Sequence, residues 1–323
     1  MTPPLLEVRD LHTHFLTRAG VAKAVDGVSF SLMPGEILGL VGESGSGKSV
    51  TGYSLLGLVD PPGRIANGSI RFAGQELVGL RAEAMRALRG KRIAMVFQDP
   101  QATLNPVLTI GAQMALAVQA HERVSGRAAR ARAAAVLTRV GIPDAARRLS
   151  AYPHEFSGGM RQRVAIATAL LHGPELMVAD EPTTALDVSI QAQILAEMKA
   201  LTAESGTALI WISHDLATVS ALADRVLVMY AGRIVEEGPI GAVLRAPLHP
   251  YTRGLLDSLP AMAEPGQKLR QIPGAAPSLL ALPEGCPFAP RCAHADAACA
   301  APPPKVVRQA RLASCHHPLE AAA

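Results

Sequence analysis

The stretch Gly42-Glu43-Ser44-Gly45-Ser46-Gly47-Lys48-Ser49 constrains the fold of this chain more than any other. The apolar run Ile37-Leu38-Gly39-Leu40-Val41 enters it, and a segment able to form a helix leaves it. It therefore fits G-x-x-x-x-G-K-S, a phosphate-binding loop between a strand and a helix. Glycines let the backbone curl until several N–H groups point at one centre, and the positive end of the next helix adds to the attraction for an anion. Lys48 supplies a point charge for β- and γ-phosphates, and the Ser49 hydroxyl can ligate Mg²⁺. These residues imply a bound nucleoside triphosphate.

With 323 residues the chain can hold one large α/β domain with an appendage, or two domains. Hydrophobic residues at 49% suffice for a sizeable core, while charged residues at 18% fall below the usual quarter or so. A net charge of +4 is a mild excess that a solvated surface explains, so it gives no reason to expect nucleic acid as a partner. Met1–Glu7 carries neither the basic nor the apolar region of a signal peptide. No apolar run approaches the roughly 18 residues that suggest a membrane span. A cytoplasmic location is expected, with any membrane role acting through a partner.

Along the chain, Leu5–Phe15 and Val21–Met33 read as strands around a turn near Arg18-Ala19-Gly20. Residues 49–58 read as a helix stopped by Asp60-Pro61-Pro62-Gly63, and Asn67-Gly68 as the turn introducing a short strand, Ser69–Ala73. Residues 81–89 look helical and Lys91–Phe97 returns as a buried strand. From about 103 to 172 the pattern is helical, and Ser125 is an N-cap candidate for an Ala/Arg-rich piece. There Ala133, Val136, Leu137 and Val140 recur at helical spacing, which marks an amphipathic helix with a solvated Arg face. Glu175–Asp180 and Thr207–Ser213 read as buried strands, Val188–Leu201 as a helix, and Arg225–Val235 as a hairpin centred on Ala231-Gly232. Strands alternating with helices imply a mostly parallel sheet with ligands at its carboxyl ends. After about residue 258 Pro, Gly and Cys dominate with little periodicity, which predicts a small appendage.

Leu176-Met177-Val178-Ala179-Asp180-Glu181 ends an apolar strand in two acids. The first can hold the Mg²⁺ shell, and the second can polarise a water for attack on the γ-phosphate. In Phe156-Ser157-Gly158-Gly159-Met160-Arg161-Gln162-Arg163, two glycines open a helix and aim its N–H groups at an anion, with the Ser157 hydroxyl beside them. This segment resembles the Leu-Ser-Gly-Gly-Gln signature of the ATP-binding-cassette (ABC) family. The resemblance covers about residues 5–245 and follows the family's order: the phosphate loop, Gln98 in Val96-Phe97-Gln98-Asp99-Pro100, the signature, Asp180-Glu181, Ala185-Leu186-Asp187, and His214 in Ser213-His214-Asp215.

That resemblance implies an α/β cassette over 5–257, with a mostly parallel core sheet, an antiparallel β subdomain and an inserted helical subdomain at about 103–172. Two such domains would face head to tail, each ATP lying between one phosphate loop and the other's signature. Glu181 would be the catalytic base. His214 would hold the γ-phosphate and orient the water, Gln98 would bind Mg²⁺ beside Ser49 and Asp180, and Asp187 would bridge the two sites. Phe15 sits where the family stacks an aromatic on adenine; a plain core Phe is the other reading. Two positions depart from the common pattern. Met160 replaces the usual Gln, and Val50 stands where a second hydroxyl is common, leaving the α-phosphate to the backbone.

In the tail, His249-Pro250-Tyr251-Thr252-Arg253, Ile272-Pro273-Gly274 and Cys286-Pro287-Phe288-Ala289-Pro290-Arg291-Cys292 resemble the C-terminal extension of oligopeptide and dipeptide importer ATPases, which nickel importers share. All four cysteines, Cys286, Cys292, Cys299 and Cys315, fall in this extension at 258–323. Disulfides do not suit a reducing cytosol. A metal centre would supply folding energy that a small core cannot. No pair has the close spacing usual for zinc, so a [4Fe–4S] cluster suits the four better, with zinc next and free buried thiols as the plain alternative. The resemblance thus implies an importer's ATPase working with a second ATPase subunit, two integral membrane permeases and an external solute-binding protein. It would lie peripherally on the cytoplasmic face of the membrane. A nickel importer ATPase, a soluble ABC protein acting on ribosomes or DNA, and a GTPase or kinase are the alternatives; the last leaves Ser157-Gly158-Gly159 unexplained.

Overall fold

The computed structural model describes residues 3–184, 186–259 and 270–320; Ala185 and the beginning of the expected appendage lie outside them. In chain order the first elements are β1 (Leu6–Thr17), β2 (Gly20–Leu32), β3 (Ile37–Val41), α1 (Lys48–Leu55), β4 (Gly63–Phe72) and β5 (Gln75–Glu76). There follow α2 (Ala82–Leu88), β6 (Ile93–Val96), α3 (Pro100–Thr103), α4 (Ile110–Gln119), α5 (Gly126–Arg139), α6 (Ala145–Arg148) and α7 (Gly158–Leu170). Next come β7 (Leu176–Asp180), α8 (Val188–Ser205), β8 (Ala208–Ser213), α9 (Leu216–Ser220), β9 (Arg225–Tyr230) and β10 (Arg233–Pro239). The chain closes with α10 (Ile240–Arg245), α11 (Pro250–Asp257), β11 (Lys305–Arg308) and β12 (Arg311–Ser314).

These elements form two compact units, one of residues up to 33, 37–79 and from 212 onward, the other of 34–36 and 80–211. In the first unit β2, β1, β4 and β5 make an antiparallel sheet in that order. Beside it β3 pairs parallel with β9, which continues antiparallel through β10, β12 and β11. Every residue of β3 is buried, as expected of a strand covered on both faces, where each apolar side chain contributes about 1.5–3 kcal/mol. The tail, distinct in composition, belongs to this unit: its strand β12 lies against β10, with Glu236 opposite Ala313.

In the second unit β8, β7 and β6 are neighbours, and β6 runs parallel to β7 with Ile93 opposite Leu176. Helices α4 to α7 occupy the stretch read as helical. Ser125 caps α5, accepting the Ala128 N–H at 3.2 Å, and Ala129, Ala133 and Leu137 are its buried face. The Arg-rich side is solvated, as the spacing predicts.

Two boundaries differ from the sequence reading. Helix α1 ends at Leu55 rather than near residue 58, because Gly57 takes φ +58° and closes a Schellman turn: its N–H reaches the Ser54 carbonyl and that of Leu58 the Tyr53 carbonyl. The strand expected at Ser69–Ala73 begins at Gly63, and Asn67-Gly68 lies inside it. Gly68 (φ +108°) marks a register shift against β1, where a side chain would strike the Arg9–Leu11 backbone. The Asn-Gly pair is a bulge here rather than a turn.

Candidate nucleotide site

In the first unit the phosphate loop leaves buried β3 and leads into α1 as expected. Gly42 and Gly47 have φ of +154° and +102°, and a Cβ on either would run into a backbone carbonyl, of Met229 and Ala24 respectively. Only glycine fits there. The Lys48 ammonium folds over the loop, donating to the Gly42 carbonyl at 2.8 Å and the Glu43 carbonyl at 3.0 Å, and the side chain is 4% exposed. The Ser46 N–H donates to the Glu43 carbonyl, and the Ser46 hydroxyl is buried with no hydrogen-bond partner among the described residues. Ser44 and Gly45 are exposed at the tip, while Ser49 and Val50 sit half-buried in the first turn of α1. A buried lysine, an orphaned hydroxyl and a glycine-only curl suit a polyphosphate with its Mg²⁺. Phe15 is half-buried on β1, opposite Ala22 and Gly63. His214 is exposed directly after β8, and the next residue, Asp215, caps α9 by accepting the Ala217 and Thr218 N–H groups.

In the second unit Asp180 ends β7 with no exposed surface. Glu181 follows in a left-handed backbone conformation, φ +44°, which is uncommon for a residue with a Cβ. Its carboxylate accepts from the Thr184 hydroxyl at 3.0 Å and lies 3.5 Å from the Gln98 amide. The structure thus brings Gln98 and Glu181 together. Thr184 had no sequence signal beyond its place three residues on. Ser157 caps α7, its hydroxyl accepting the Met160 N–H at 3.3 Å, with Gly158 and Gly159 in the first turn. A side chain on Gly159 would meet Ile190. Ser157, Gly158, Gly159, Met160 and the exposed Asp187 line one open hollow.

The tail supplies neighbours of the phosphate loop that the sequence reading did not foresee. The Tyr251 hydroxyl accepts the Glu43 N–H at 2.8 Å. The Arg291 guanidinium donates to both Glu43 carboxylate oxygens, at 2.7 and 3.0 Å. That paired carboxylate is the main reason the guanidinium is held even more basic than usual. Motifs around Tyr251 and Arg291 were visible, but a pairing 248 residues apart leaves no trace in spacing.

Cys286, Cys299 and Cys315 are buried and Cys292 half-buried, and none forms a disulfide. The Cys286 N–H donates to the Cys299 carbonyl at 3.0 Å. Burial, then the charges of the neighbouring thiols, pushes Cys315 up to about 11, and burial raises Cys286 and Cys292. Among the described residues of the tail, the donor atoms gathered within 4.8 Å of one another are those of Asp296, Cys299 and His317. In a second donor group, His12, His14 and Asp26, the carboxylate is held by Arg233, while the buried His14 Nε2 has no hydrogen-bond partner among the described residues. Burial alone would raise Asp26, but Arg233, at 2.7 and 3.0 Å, outweighs it and holds the carboxyl below its usual range.

Residues 25–184 match the ABC transporter family, and residues 235–299 match the oligopeptide/dipeptide transporter C-terminal region. A Brucella abortus relative named for peptide import and ATP binding is 53% identical over 94% of this chain and 91% of its own. The chain belongs to the ABC transporter family. OppD of Salmonella typhimurium, named an oligopeptide transport ATP-binding protein, is 48% identical over 98% of this chain and 94% of that one. Among solved structures, a dimeric ATP-binding cassette in a post-hydrolysis state with ADP and Pi superposes with TM-score 0.66 at 26% identity, covering 73% of this chain and 98% of that one. The cassette cbiO1 of Clostridium perfringens gives 0.64 at 26%, over 75% and 91%. Membership makes this chain an ATP-binding, ATP-hydrolysing subunit of a transporter. No helix among the described residues is long and apolar enough to cross a membrane.

Proposed function

We propose that this chain energises uptake of dipeptides or oligopeptides by closing a pair of ATPase subunits against two membrane permeases fed by a solute-binding protein. The observation that carries the reading is the C-terminal match over residues 235–299, continuous with relatives named for peptide import across nearly the whole chain. In this reading the phosphate loop, Gly42 to Ser49, holds the β- and γ-phosphates, with Lys48 as its cation. Ser49, Gln98 and Asp180 serve Mg²⁺, and Phe15 packs on adenine. Glu181 takes the proton of the attacking water, a role supported by the Thr184 hydroxyl that donates to its carboxylate. His214 orients that water. Ser157, Gly158 and Gly159 of a second subunit would close over the γ-phosphate, and Asp187 would relate the two sites. Val50 and Met160 remove no group that moves a proton or holds metal. Closure counts as coupling because its contacts exist only in the ATP-bound state.

The four tail thiols are read here as ligands of a metal centre, a [4Fe–4S] cluster ahead of zinc. Three are buried, and burial resists ionisation of Cys286, Cys292 and Cys315 unless a cation faces them. Such a centre would supply folding energy to a segment with little regular structure. Anaerobically purified protein should then be brown and contain iron and sulfide; colourless protein containing zinc, or no metal, overturns this.

The central test is Glu181→Gln in the assembled transporter. ATP should still bind within a few-fold of the unaltered affinity, while turnover falls by roughly 10²–10⁴-fold, the usual worth of a positioned proton acceptor. Peptide-stimulated hydrolysis in vesicles should vanish with it. Unchanged ATPase removes Glu181 from the role, and stimulation by nickel complexes but not by peptides overturns the substrate class.

A further inference from the structure

Glu43 is an acid inside a loop built for anions, and the structure restrains it at every polar group. Its N–H goes to the Tyr251 hydroxyl at 2.8 Å, its carbonyl accepts from Lys48 and from the Ser46 N–H, and its carboxylate meets Arg291 at 2.7 and 3.0 Å. Arg291 is itself fixed. Its side chain is 6% exposed. Its Nε donates to the Pro273 carbonyl at 2.8 Å, Nη1 also reaches the Tyr230 hydroxyl at 3.2 Å, and the guanidinium lies over the Tyr230 and Phe288 rings. Arg291 closes a short 3₁₀ turn, Ala289–Arg291, between Cys286 and Cys292.

We propose that Arg291 is a positioning residue for ATP binding: the tail uses its planar fork to hold the Glu43 carboxylate, keeping the phosphate loop curled and its negative charge turned away from the phosphates. The fork matches a carboxylate in two parallel hydrogen bonds that lysine cannot reproduce. Two consequences follow. A loop held in its binding shape has met its ordering cost before ATP arrives. A carboxylate neutralised in a partly buried place also repels a triphosphate far less than a free one. The tail thereby acts on nucleotide affinity without touching nucleotide.

The inference rests on the phosphate loop holding ATP, so binding of ATP by the unaltered full chain is measured first. No binding there overturns the functional reading itself. Given that binding, Arg291→Met should weaken ATP affinity by about 5- to 150-fold, the span of an ordinary coupling between sites. The Michaelis constant for ATP should rise with it, and turnover at saturating ATP should stay close to normal. Arg291→Lys should fall between. Adding Glu43→Gln to Arg291→Met should recover much of the affinity, because the stranded charge is gone. A lowered melting temperature with unchanged affinity of the folded protein, or no recovery in the double variant, would overturn the proposal. Should Arg291→Met fail to fold, the comparison of Arg291→Lys with Arg291→Lys/Glu43→Gln carries the same test.

Discussion

At the scale of single residues, the site depends on positions where only one side chain works. Gly47 has φ +102°, and a Cβ there would strike the Ala24 carbonyl. Gly47→Ala should therefore destabilise the chain by about 1–3 kcal/mol and uncurl the loop. Nucleotide binding should be lost below the temperature at which the variant melts, as calorimetry and a binding titration on one sample would show; normal binding would mean that the curl is not needed. Residues of this kind were legible in the sequence, because glycine, lysine and serine at fixed offsets have few other uses. Gln98 and Glu181 were legible singly, and their 3.5 Å approach is a finding of the fold. Arg291 was not legible as a neighbour of Glu43, since an arginine in a Pro- and Cys-rich tail reads equally well as a solvated charge. Thr184 escaped for a similar reason: a hydroxyl three residues after an acid is commonplace.

At the scale of elements, buried strands and long helices were readable from apolar runs, and the mistakes fell on glycines. Gly57 ended a helix early and Gly68 sat inside a strand, because a positive φ serves a cap, a bulge or a turn equally well and the sequence does not distinguish them. Helix α11 shows what an element's cap can do to stability. His249 caps it, its Nδ1 accepting the Tyr251 N–H at 3.0 Å, and its backbone N–H donates to buried Glu236 at 2.9 Å. Burial pulls the imidazole down to about 3. The unfolded chain therefore binds a proton near pH 6.5 that the folded chain refuses, so stability is present above that pH and is lost as pH falls towards 3. At pH 5 the loss is about 2 kcal/mol. Burial moves Glu236 the opposite way, raising its carboxyl and partly offsetting this. His249→Asn retains an acceptor for the cap and removes the titration. Its melting temperature should fall less between pH 7 and pH 5 than that of the unaltered chain, and parallel curves would refute the assignment.

At the scale of the molecule, the tail reads in sequence as an appendage and behaves in structure as part of the first unit. Strand β12 extends the sheet that contains the phosphate-loop strand, and Phe288 closes on Tyr230 and Tyr251 at ring separations of 5.2 and 5.4 Å. Composition cannot reveal such a union: few residues in the tail repeat with any period, and its contacts reach back across most of the chain. Phe288 is the apolar member of that union, 3% exposed, in the same short turn that presents Arg291. Phe288→Ala removes a buried ring from a closed aromatic cluster, so it should cost about 3–5 kcal/mol in unfolding free energy. Because the ring also backs the guanidinium, ATP affinity should fall in the same variant, whereas truncating an aromatic in an independent appendage would leave the ATP affinity of the cassette untouched. Phe288→Leu, which restores most of the apolar volume but no π face, should recover stability more fully than affinity. Denaturant melts and ATP titrations on the two full-length variants decide it: a tail that loses its ring without any effect on nucleotide binding is an appendage after all.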